Sequence, residues 1–175
     1  MFLGLLSLLG AGCLHAPLHP SITPADRSVT WSGRRWQMRH SDRATGAGPS
    51  RWNASPAAVA HHDGQLCLAL SIDAEGWRGA EVWAPVRRRR RVVVELAPYP
   101  HDDPAVVMGI FLYRDDTDEL DVEWSRWGEP EAPPLQLVVP ARDHPMRRRR
   151  LRVGPPHRIE LQAHRRGPRF RVVGE

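Results

Sequence analysis

The chain has 175 residues, 41% hydrophobic and 26% charged, with 17 Pro, 14 Gly, 7 Trp and 2 Cys. That length fits one domain able to bury roughly two-thirds of its unfolded surface, and the apolar share excludes wholesale disorder. Two cysteines exclude a disulfide-rich scaffold or a zinc quartet, and no apolar run reaches the roughly 18 residues of a membrane span.

The formal charge is +5, with 25 arginines and no lysine. Nine of those arginines sit in two runs, 87–91 and 147–150, and the other 16 stand against 20 acidic residues. A nucleic-acid footprint would rest on those two runs alone. No stacking aromatics flank them, so no nucleic-acid partner is expected.

In chain order, residues 1–13 read as a signal-peptide or lipobox-like segment. The stretch MFLGLLSLLGAG has the length of an apolar signal core, and Gly10-Ala11-Gly12-Cys13 resembles a loose bacterial lipobox, with Cys13 as the site of a lipid anchor. Residues 14–30 are rich in Pro and polar residues and read as a linker. Residues 31–175 read as one all-β domain. Gln65 to Ile72 alternates with period two. Val92 to Leu96 is β-branched, and Ala105 to Tyr113 is a near-continuous apolar run suited to a strand buried on both faces. Strands over 119–124, 135–139, 158–162 and 169–173 follow, separated by Pro, Gly and Asp clusters. No window shows helical periodicity, so a sandwich or barrel is expected.

The segment 115–123 carries the chemistry. Six of its nine residues are acidic, and its second half alternates carboxylate with aliphatic. On a strand, Glu119, Asp121 and Glu123 share one face while Leu120 and Val122 point to the core. Three like charges in a row repel and cost stability, which invites a chemical role. Retaining glycosidases use two carboxyl groups, a nucleophile and a general acid/base. Mutual repulsion raises at least one pKa, as a general acid needs. The alternatives are a solvated strand face or a structural calcium site formed with Asp115, Asp116 and Asp118.

The motif Glu119-Leu120-Asp121-Val122-Glu123 resembles the E-[ILV]-D-[IV]-E signature of family 16 glycoside hydrolases, the laminarinase and lichenase type of β-glucanase. Val107 to Tyr113 resembles the preceding strand, Glu123-Trp124-Ser125-Arg126-Trp127-Gly128 the E-F-x-R-W-G of a bacterial subgroup, and His157 to Leu161 a later strand. The resemblance covers roughly residues 30–173. It implies a concanavalin A-like β-sandwich, a jelly roll short of the C-terminal strands that members commonly have. It also implies retaining hydrolysis, or transglycosylation, of β-1,3 or β-1,3/1,4 glucans or galactans, without a cofactor or catalytic metal. Glu119 would be the nucleophile, Asp121 the assisting acid and Glu123 the acid/base. Trp52, Asn53, Glu81, Arg126 and Trp127 would bind substrate, with Trp52 and Trp127 as sugar-stacking platforms. The alternatives from other classes are a non-catalytic carbohydrate-binding jelly-roll module of the cell envelope and an envelope protein whose arginine runs hold an anionic polymer. Location is expected to be secreted or envelope-bound, and the protein a monomer. Cys67, with Leu on either side, reads as a buried inert thiol.

Overall fold

In the computed structural model, residues 2–6, 22–23, 27–43, 51–86, 91–95, 103–115, 118–141, 144–152, 158–162 and 169–173 are described. Among them every regular element is a β-strand, so the protein is all-β. The first strand, β1 (Phe2–Leu6), lies inside the segment expected to be signal-like. By compactness the chain groups into two units, Leu5–Ala84 and Pro85–Glu175 with Met1–Gly4.

The Leu5–Ala84 unit contains β2 (Ile22–Thr23), β3 (Ser28–Trp31), β4 (Arg34–Met38), β5 (Arg51–Trp52), β6 (Val59–His62), β7 (Gln65–Leu68), β8 (Ser71–Asp73), β9 (Gly76–Gly79) and β10 (Glu81–Pro85). Its main sheet runs β10-β4-β3-β2. Within the stretch expected as linker, residues 22–23 and 28–30 lie in the paired strands β2 and β3, and Val29 is fully buried. Two hairpins close on two-residue loops, Ser32-Gly33 and Asp63-Gly64. All four loop residues have positive φ, the left-handed pair that matches strand twist and favours Gly in second place. The expected strand Gln65 to Ile72 splits after Leu68. β7 pairs with β6, and β8 pairs with β9. β9 also pairs in parallel with β5. Arg51, buried at that junction, is matched by Asp73 at 2.6 Å and by Glu75. A buried guanidinium requires such partners.

The Pro85–Glu175 unit contains β11 (Arg91–Glu95), β12 (Met108–Asp115), β13 (Asp118–Trp124), β14 (Leu135–Ala141), β15 (His144–Leu151), β16 (Arg158–Gln162) and β17 (Arg169–Val173). They form two antiparallel arrays, β15-β14-β13-β12 and β11-β16-β17. Ile110, Leu112, Leu120 and Val122 share one face of the β12-β13 pair and are buried. Phe111 and Tyr113 on the other face are only half-buried, so the apolar run at 105–113 is not covered on both sides. The alternation fixes register. A slip of one residue would turn three carboxylates into the core. The second arginine run, which carries no alternation of its own, lies on β15.

Candidate active site

Antiparallel pairing builds the site row by row, because directly opposed residues share a face. Glu119 lies opposite Tyr113, Asp121 opposite Phe111, and Glu123 opposite Gly109. On the other side of β13, Asp121 faces Val138 and Glu123 faces Gln136. Leu120 and Val122, 2% and 1% exposed, occupy the opposite face. The three carboxylates thus stand together on a half-buried face, as the alternation predicts, and Trp124 is on the core side.

Asp121 is the middle of the three and is strongly perturbed. Burial, then the charges of Glu119 and Glu123, and a hydrogen bond with Glu119 push its pKa up to about 8. Near neutral pH its carboxyl therefore holds a proton, and that O–H donates to Glu119.

Glu123 has a different partner. The Gln136 amide donates from Nε2 to Glu123 Oε2 at 2.6 Å. Its Oε1 accepts from Arg150 Nε at 3.3 Å. The Arg150 guanidinium lies over the Trp127 ring, 5.0 Å from the centroid, a cation–π distance. Sequence reasoning passed over Gln136 and Arg150. The signal for Gln136 is a polar residue between Leu135 and Leu137 on the strand expected over 135–139. Arg150 lay inside a homopolymeric run, where periodicity has nothing to show.

The remaining candidates fall into two groups. Trp127 follows the end of β13 with positive φ. Its backbone N–H donates to Ser125 Oγ at 2.9 Å, which brings the ring under Arg150. Arg126 donates to the Pro130 carbonyl at 2.6 Å, so it staples the turn after β13.

Trp52, Asn53 and Glu81 lie in the other unit and cluster around Gly79. The Asn53 N–H donates to the Gly79 carbonyl at 2.9 Å. Its side-chain Oδ1 accepts from the Ser55 N–H at 3.0 Å. Trp52 is 4% exposed, with the Arg39 guanidinium 4.9 Å from its ring centroid. Its indole is a core ring rather than an open sugar platform, because the Cβ-free Gly79 lets it pack against the backbone. Glu81, 7% exposed, accepts from Arg39 Nη1 at 2.8 Å. Burial pushes its carboxyl up while Arg39 opposes the shift. Its contact is with arginine, an ion pair inside the unit. Arg39 joins this cluster without a sequence signal.

Asp115, Asp116 and Asp118, the alternative calcium ligands, have side chains outside the described residues. No group of three or more His, Cys, Asp or Glu with metal-holding geometry occurs among the described residues. Cys67 is disulfide-bonded, which corrects its expectation as a thiol. The sequence's one other cysteine, Cys13, lies outside the described residues. No protein-family model, curated protein or solved structure matches the chain.

Proposed function

We propose that the protein is a retaining glycoside hydrolase, or transglycosylase, acting on a β-linked polysaccharide such as a β-1,3 or β-1,3/1,4 glucan. The observation that carries this is the trio on one face of β13, in which buried Asp121 keeps its proton and donates it toward Glu119. A carboxylate that must stay anionic to attack a sugar is stabilised by such a donor, and a neutral neighbour also spares it repulsion.

In the first step Glu119 attacks the anomeric carbon while Glu123 protonates the departing glycosidic oxygen. In the second, Glu123 takes a proton from water, or from an acceptor sugar hydroxyl, which displaces Glu119 from the glycosyl ester. Gln136 fixes one oxygen of Glu123 and leaves the other for proton transfer. The Cα atoms of Glu119 and Glu123 lie about 13 Å apart along a regular strand, so the two side chains work across Asp121. The jelly-roll arrangement of family 16 enzymes suits such a carboxylate-bearing strand. A disulfide at Cys67 suits an oxidising compartment, in keeping with a secreted or envelope location.

The test is reducing-sugar release from laminarin, mixed-linkage β-glucan, agarose and carrageenan. Wild type should release sugar from at least one. Glu119→Gln and Glu123→Gln should each lower the rate about a thousandfold or more, with the circular dichroism spectrum unchanged. Wild-type rates in both folded variants would overturn the proposal.

A further inference from the structure

The register of β15 divides the second arginine run between two faces. Arg148 lies opposite Val138 and Arg150 opposite Gln136, while Arg149 lies opposite Leu137. Val138 and Gln136 in turn oppose Asp121 and Glu123. Arg148 and Arg150 therefore belong to the carboxylate face, and Arg149 to the other. β15 ends its array, where charge discourages edge-to-edge pairing. Edge protection needs charge on the strand, however, and is indifferent to which face carries it.

Two features set the carboxylate-facing pair apart. Arg150 is held in place by Gln136 at 3.3 Å and by the Trp127 ring, and it approaches Glu129 at 3.7 Å. Its side chain still keeps 37% of its surface exposed. A guanidinium has five N–H groups, of which Nε meets Gln136 and Nη1 faces Glu129. The strand that carries the pair lies two strand spacings from β13, about 10 Å between backbones, and Gln136 bridges Arg150 to Glu123 across that gap. The pair therefore borders the carboxylates on their own face. It is placed to meet a ligand group while another part of the same ligand reaches Glu119 and Glu123.

We infer that Arg148 and Arg150, brought by register onto the carboxylate face beside Trp127, bind an anionic substituent of the polysaccharide, a sulfate ester or a carboxylate, on a sugar flanking the bond to be cleaved. The inference rests on reading this face as a polysaccharide site. Nucleic acid fits less well. The ring at hand, Trp127, already stacks with Arg150, and single-strand binding relies on rings on which bases stack.

The test uses three variants of equal net charge, Arg148→Gln, Arg149→Gln and Arg150→Gln, each in a Glu119→Gln background that does not cleave. Calorimetry at about 0.1 M salt measures binding to carrageenan oligosaccharides, oligogalacturonate, laminarin oligosaccharides and a single-stranded oligonucleotide. The expected result is about a fivefold or greater rise in Kd for an anionic glycan with Arg148→Gln and Arg150→Gln. Arg149→Gln should change it less than twofold, and laminarin binding should not move. Carrageenan against galacturonate tells sulfate from carboxylate. Equal losses in all three variants, no preference for anionic over neutral glycan, or tighter binding to the oligonucleotide would each overturn the inference. Wild-type hydrolysis is assayed separately. Face-selective binding without turnover would refute the hydrolase and keep the subsite. Turnover without face selectivity would do the reverse.

Discussion

Asp121 has a folded-state pKa of about 8 against an unfolded value near 4, and the sign of its effect on stability follows. Between those values the native state holds a proton that the unfolded state has lost. Stability is therefore full below about pH 4 and falls as pH rises through about 8. Asp121→Asn mimics the protonated form at every pH. Its melting temperature should exceed wild type by roughly 5 °C at pH 8.5 and differ little at pH 4, as differential scanning calorimetry would show. No gain at pH 8.5 would mean that the carboxyl is ordinary. Gly79 gives a second prediction. A Cβ there would meet the Trp52 ring at 2.9 Å, and that ring is buried. Gly79→Ala should cost about 2 kcal/mol in urea denaturation, with a change in Trp fluorescence. The carboxylate face was legible residue by residue, because acidic side chains at alternate positions leave one arrangement with an apolar core. The arginine contacts were not. Arg39 over Trp52 and Arg150 over Trp127 join residues 13 and 23 positions apart, through contacts that no local pattern encodes.

At the scale of elements, β13 is set by its aliphatic side as much as by its acids. Leu120 and Val122 lie opposite Leu112 and Ile110, and burial of each contributes about 1.5–3 kcal/mol. Leu120→Ala should lower unfolding free energy by about 3 kcal/mol. It should also reduce any activity, since the same strand aims Glu119 and Asp121. A loss under 0.5 kcal/mol would contradict the register. β11, β13, β14, β16 and β17 begin and end within two residues of the spans expected from sequence, because each is β-branched or alternating along its length. β15 was not legible, since a run of identical charges shows no period. The segment 65–73 shows the complementary failure. Its alternation continues through Ala69 and Leu70, yet the Ala69 N–H turns to the Ala58 carbonyl at 2.8 Å and the pairing partner changes from β6 to β9. Alternation records facing, not partnership.

For the whole molecule, the all-β class followed from composition and period, whereas the division at Ala84/Pro85 did not. It falls inside β10 and just before the first arginine run, without the polar linker that usually marks a boundary. The cysteines carry a prediction at this scale. Cys67 should resist alkylation in denaturant until a reductant is added. Labelling of Cys67 without reductant would contradict the bond.

Double displacement on one strand face is tested most directly by the stereochemistry of the first product. Proton NMR of fresh digests, on whichever β-glycan of the panel is cleaved, should show the β-anomer forming first and mutarotating later, with no product from Glu119→Gln. A first-formed α-anomer, equal product from Glu119→Gln, or no product from the folded wild type on any of the four polysaccharides would contradict the account.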